Sequence, residues 1–160
     1  MNSRIAHAAQ SFNQNASVLK RSVDGLTDDD WIRRPNDHSN HILWIVGHVA
    51  WTRTALLARL GAPWVVPWLG LYARGKRCED GPDCPSPQSA MEAWNESGSR
   101  LNAAMEAASD ELLDTPATQG PPSADGKLSG IVDFLAFHET YHVGQIAYLR
   151  SWLGRGGPMG

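Results

Sequence analysis

The chain is poor in cysteine: Cys78 and Cys84 are the only two in 160 residues, so no disulfide framework can hold the fold together. Stability must come from an apolar core, and a chain of this length can bury one as a single domain, residues 1–160. A basic surplus is missing too: Lys plus Arg number 14 against 17 Asp plus Glu, for a net charge of -3. Domains that grip phosphate backbones carry the opposite balance, so nucleic acid is not an expected partner. No apolar run approaches the ~18 residues of a membrane span. The opening stretch, Met1 to Gln10, is polar and lacks the apolar segment of an export signal, so the expected compartment is the cytoplasm. Internal repeats and low-complexity tracts are absent. So is any two-residue alternation of apolar and polar positions, which leaves no sheet to predict.

What remains is a globular composition, 42% hydrophobic and 19% charged, with seven tryptophans. The pattern reads as four long helices. The first runs from Asn2 to Gly25, with Ile5, Ala9, Phe12, Ala16, Leu19 and Val23 at three- and four-residue steps. Thr27 caps a short turn through Asp28, Asp29 and Asp30, which Pro35 and Asn36 end. The second helix runs from Ser39 or Asn40 to Leu60 and stops at Gly61. It is apolar around most of its circumference, as a central helix is. The third opens with Ser86 as N-cap and Pro87 at the first helical position and reaches Ala108. The fourth spans Leu128 to Leu153 and ends at Gly154. The fold class is therefore all-α, a four-helix bundle with a long connection between helices two and three.

That connection, Gly61 to Pro85, is about 25 residues long. It holds Trp64, Trp68, Leu69 and Tyr72, too much apolar surface for a solvated linker. It is expected to fold back over one end of the bundle, either as a lid over a pocket or as a packing cap without a ligand role. Cys78 and Cys84 sit in its polar part and read as two thiols. A redox pair or second metal site is the alternative, but their spacing matches no recurring zinc pattern.

The strongest local signal is His138-Glu139-Thr140-Tyr141-His142. Two histidines four apart on a helix share one face and can turn ring nitrogens to one ion. Burying two imidazoles without partners is costly, so they need a metal or specific acceptors. The string is also the short signature of zinc peptidases. Those enzymes draw a third ligand from further along the chain, and after His142 this chain has no His, Asp, Glu or Cys. The third ligand must come from upstream. His48 lies mid-helix among Trp44, Ile45, Val46, Val49 and Trp51, where nothing offers an obvious polar partner. Gly47 and Gly144 suggest a close approach of helices two and four, which would bring His48 to the pair. His41 is about 10 Å from His48 along the axis and reads as a pocket, supporting or helix-start residue. His7 and His38 read as surface residues.

These segments carry a resemblance. The run from Asn40 to Trp51, the proline-rich connection, and the run from His138 through Gly144 and Gln145 to Arg150 resemble the DinB superfamily in order and spacing. That family includes relatives of the bacillithiol transferases and mycothiol-dependent maleylpyruvate isomerases. The resemblance implies an up-down-down-up bundle, often a homodimer, with His48, His138 and His142 as ligands to one divalent metal ion. The seven tryptophans in so small a chain also suit a dimer.

Three imidazoles leave a coordination position for water or substrate. Zinc and nickel both accept imidazole, and spacing does not separate them. The resemblance implies an ion that activates a low-molecular-weight thiol for S-transfer or isomerisation of a small-molecule substrate. A metal-dependent hydrolase and a non-catalytic metal- or ligand-binding stress-response protein are the other readings. Glu139 and Tyr141 flank the ligand face, each about 80° from its centre at 100° per residue. Glu139 reads as a catalytic base or, alternatively, as a carboxylate that supports a ligand or an interface. Gln145 falls near the ligand face. Trp44 and Trp51 lie one turn to either side of His48, as core or as platform.

Overall fold

The computed structural model describes residues 1–76 and 84–159. Cys78 lies outside them, so the reading of the cysteine pair is not addressed. Among the described residues there are four long helices: α1 (Ala6–Val23), α3 (Ile42–Arg59), α4 (Pro87–Ala107) and α6 (Leu128–Trp152). Two short ones accompany them, α2 (Asp28–Ile32) and α5 (Asp110–Leu113), with 3-10 turns at Ser3–Ile5 and Pro67–Tyr72. Among the described residues there is no strand, only an isolated bridge between Pro116 and Lys127. No helix among the described residues is long and apolar enough to cross a membrane.

The caps explain most boundaries. Thr27 and Asp30 close a reciprocal capping box on α2. Ser86 accepts from Ser89 N at the head of α4, with Pro87 behind it. Helix α3 starts later than Ser39 or Asn40: its cap is His41, whose Nδ1 accepts from Trp44 N at 3.0 Å. The α6 start is held from outside the helix. Asp125 accepts from Ser129 Oγ at 2.6 Å and from the backbone of Lys127 and Gly130. These bonds, Ser129 first, hold its carboxyl well below the ordinary carboxylate range. The α5 turn, capped by Ser109, has no counterpart in the sequence reading; four residues are too few to show a period.

Side-chain pairs fix the direction of each helix. Arg4 meets Ser129, Asn15 meets Thr140 and Arg150 meets Ser22, so α1 and α6 are parallel. Arg53 meets both Trp94 and Glu139, and the last turn of α3 shares a cluster with the end of α4 and the start of α6. Helix α3 is therefore parallel to α4 and antiparallel to α6. The result is an up-down-down-up four-helix bundle in which consecutive long helices α1 and α3 are diagonal.

The core is in two parts with a polar layer between them. One cluster gathers Phe12, Leu56, Leu57, Leu101, Met105, Ile131 and Leu135. The other gathers Leu19, Ile42, Ile45, Val49, Trp94, Val143 and Ile146. Every long helix places buried polar residues between the two, Asn15, then His48 and Arg53, then Ser97, then Glu139 and His142, while Ser22 and Ser129 are buried at helix ends. Buried polar groups persist only with partners, so this layer is where the fold is committed to specific chemistry.

Candidate metal centre

The polar layer brings together the three predicted histidines. Each of His48, His138 and His142 offers one ring nitrogen, and these three atoms lie within 4.8 Å of one another. His138 Nε2 and His142 Nε2 are 3.1 Å apart. Nitrogens around one tetrahedral ion with bonds of about 2.0–2.1 Å stand about 3.3 Å apart, so the donor set fits a divalent ion after small inward movements. Two of the rings are held by their far nitrogens. His48 Nδ1 donates to the carbonyl of Tyr72 at 2.8 Å, and His142 Nδ1 donates to Gln145 Oε1 at 2.7 Å. Both bonds leave Nε2 with its lone pair toward the cluster, the arrangement that orients metal-binding histidines. Gln145 in turn donates to Tyr141 Oη at 3.3 Å. His138 Nδ1 is buried without a hydrogen-bond partner.

Burial keeps these rings uncharged. Desolvation pulls His138 and His142 down to about 4 from an ordinary 6.5, helped by the neighbouring imidazoles, and lowers His48 as well. Trp44 and Trp51 sandwich His48, with ring centroids at 4.8 and 5.8 Å. The remaining histidines stay apart from this cluster. His41 is the α3 cap, and His7 and His38 are exposed.

Glu139 takes a definite place. Its two oxygens each accept from Arg53, from Nε and Nη2, at 2.7 Å, and it is 1% exposed. Arg53 continues to the Trp94 carbonyl at 2.8 Å and lies over the Trp94 ring. This pair joins α3, α4 and α6 one turn from the histidines. Tyr141, on the other flank, is 58% exposed.

A cleft of about 670 Å³ opens onto the cluster, lined by His48 and His138. Of the two readings of the connection, lid or packing cap, its described aromatic residues follow the second. Trp64 and Trp68 pack into the two core clusters, and the buried Tyr72 reaches the site through its carbonyl. From the connection Arg74 lines the cleft; the opposite wall is Gly120, Pro121 and Pro122, from the segment between α5 and α6, with Trp51, Phe134 and Leu135 below. That second segment gave no sequence signal because its placement depends on distant partners such as Arg59, which donates to the Gln119 carbonyl at 3.0 Å.

The glycines also act differently from expectation. A Cβ on Gly144 would meet nothing within 4 Å, so this glycine does not mark a helix approach. A Cβ on Gly47 would lie 2.6–2.8 Å from the Tyr72 ring. Gly47 thus admits the residue whose carbonyl orients His48. Gly47→Ala is expected to weaken metal affinity about 10- to 100-fold. Overpacking of about 1–3 kcal/mol, offset by about 1 kcal/mol of helix propensity, should lower stability modestly. Metal titration beside urea unfolding checks it; wild-type affinity would show that Tyr72 does not hold His48.

A helical bundle that builds a donor cluster from facing helices, open to a cleft on one side, is the architecture of a bundle metalloprotein. The chain belongs to the DinB superfamily, which it matches over residues 11–146. Among solved structures it is similar in fold to YfiT from Bacillus subtilis, described as a probable metal-dependent hydrolase with an unusual four-helix bundle topology. The TM-score is 0.69 at 15% identity, covering 98% of this chain and 91% of that one. Comparison with curated proteins finds no match.

Proposed function

We propose that the chain is a divalent-metal-dependent enzyme for a small-molecule substrate, with His48, His138 and His142 as ligands and a low-molecular-weight thiol as co-substrate for S-transfer or isomerisation. The observation that carries this reading is the cleft that reaches two of the three histidines, because a purely structural site would be closed. Bound zinc or nickel would supply Lewis acidity and lower the pKa of a coordinated thiol. The chain's own residues do the rest. The Tyr72 carbonyl and Gln145 orient two imidazoles, while Trp51 and Phe134 keep water from one side of the cleft. Glu139, committed to Arg53, serves as a brace and not as a base.

The choice of thiol over water follows from what lines the cleft. Among the described residues no carboxylate does so. Hydrolysis by a metal-held water is usually assisted by a nearby general base, whereas a metal-bound thiol loses its proton without one. Hydrolysis remains the second reading, favoured by the description of YfiT. The test is elemental analysis, then a rate screen of zinc- and nickel-loaded protein with small thiols and 1-chloro-2,4-dinitrobenzene, beside p-nitrophenyl esters. Metal-dependent thiol transfer that His48→Ala abolishes is expected. Ester cleavage alone would replace the reading with the second one, and rates indifferent to metal would end both.

Assembly as a homodimer rests on α6. Phe137, Tyr141, Tyr148 and Trp152 are exposed along one stripe about 60° wide at 100° per residue, with the exposed Gly144 beside it midway along its length. A second copy of the chain is proposed to cover it. Light scattering should give twice 17.5 kDa for the wild type and 17.5 kDa for Tyr148→Asp. A wild type that remains at 17.5 kDa across a wide concentration range would exclude the dimer.

A further inference from the structure

The cleft is not uniformly apolar. Two arginines, Arg59 and Arg74, line it together with the two histidines, and among the described residues no acid does. Arg59 is anchored. One of its amino groups donates to the Gln119 carbonyl at 3.0 Å, and Gly120 makes room for the guanidinium. A Cβ at Gly120 would fall on that guanidinium, and its φ of +105 is in any case unsuited to other residues. The chain thus holds a cation in place at the cleft with a fixed carbonyl and a glycine. Arg74, from the other side, has no ion-pair or hydrogen-bond partner among the described residues.

Position sets the length of what could bridge the cleft. Arg59 is eleven residues beyond His48 on the same helix, about 16 Å of axial rise at 1.5 Å per residue. Side chains lean toward the helix N-terminus, which carries the guanidinium back toward the histidines. Between the two ends lie Trp51, Ala55, Phe134, Leu135 and Pro121.

We infer that the cleft takes an elongated substrate with an apolar body and a carboxylate or phosphate held at the Arg59 end, with Arg74 as a second cation on the cleft wall. This names the substrate class for the proposed enzyme and rests on that reading only for what happens at the histidines. Guanidinium groups suit oxyanions through paired N–H donors, a geometry that ammonium groups cannot offer. The apolar walls supply the remaining affinity by burial.

The test separates the two ends. Calorimetry measures octanoate, octyl phosphate and octanol binding to metal-free protein, while metal content is determined on a parallel sample. Wild type is expected to prefer an anion over octanol by about 10- to 100-fold, the worth of one or two charge-assisted hydrogen bonds. In the Arg59→Ala/Arg74→Ala double variant the preference should fall below about threefold, with metal content unchanged; both side chains are exposed, so the bundle stays folded, and unchanged octanol affinity shows that the cleft wall beside Gln119 has kept its place. Whether octanoate or octyl phosphate binds more tightly assigns the anion. No preference in the wild type, or one that survives in the double variant, overturns the inference. Arginine-dependent preference in a chain that binds no metal supports the inference and overturns the metal reading alone.

Discussion

Glu139→Ala is expected to lower the free energy of unfolding by about 3–5 kcal/mol, the cost of leaving a buried charge without its partner. Arg53 and Glu139 are 3% and 1% exposed and share two bonds of 2.7 Å. Removing the carboxylate leaves the guanidinium in the polar layer with only the Trp94 carbonyl, a 3.4 Å contact from Ser97 and the Trp94 ring face. Removing both charges should cost far less: Arg53→Met/Glu139→Leu is expected to recover most of the loss, because well-packed apolar groups often replace a buried pair at little cost. Urea unfolding at pH 7 measures all three. The same variants decide what Glu139 does. A brace between α3 and α6 sets where His138 and His142 stand relative to His48, so Glu139→Gln should weaken metal affinity and stability together. A general base would instead keep both and lose about 10²–10⁴ in rate. A Glu139→Ala loss under about 1 kcal/mol would show that the pair is not the link described.

Much of this was legible in the sequence, and the boundary of legibility has a physical cause. Helix periods and caps are local, so α1, α4 and α6 stand within a few residues of their expected limits. The histidine pair is local as well, and His48 stood out as a polar group in an apolar helix. Arg53 stood in that helix too, the one charge between Ile42 and Ala58, and the same reasoning demands a partner for it. The signal was present, but the partner is 86 residues away and served already as the middle of a recognised motif. His41 reads as a helix-start residue among other roles, and the sequence does not single that role out because asparagine and serine, the usual caps, sit just before it. Gly47 and Gly144 show the limit most plainly: the same residue type in two helices, one seated under a tyrosine ring and one facing open space. Only tertiary placement separates them. The cleft wall at Gly120–Pro122 is of the same kind, a segment whose role depends on an arginine 60 residues upstream.

Each chain is expected to hold one divalent ion at pH 7, and His48→Ala, His138→Ala and His142→Ala each to cost on the order of 10²–10³-fold in affinity. That range follows from a total of about 10–16 kcal/mol for a four-ligand zinc site, shared among its ligands. Retention of full metal by all three variants would place the ion elsewhere. The pH response should carry the same residues' signature. Metal needs neutral imidazole, and burial keeps His138 and His142 neutral down to about 4 instead of 6.5. Proton competition within the folded site therefore begins at lower pH than for exposed histidines. The metal-free protein responds in a different window. Its unfolded chain takes up protons on these rings near 6.5 and its folded form only near 4, so unfolding binds protons between those values. Stability then rises with pH from about 4 to 6.5 and is constant in this respect above and below. Urea unfolding in chelator across that window should show the slope in wild type and a shallower one in His142→Ala, which removes one buried ring. Carboxylates titrate in both proteins alike, so the difference between the slopes isolates the histidine. Equal slopes would mean that His142 is protonated as readily in the fold as in the unfolded chain, and the desolvated cluster that makes the site a metal centre would have to be abandoned with it.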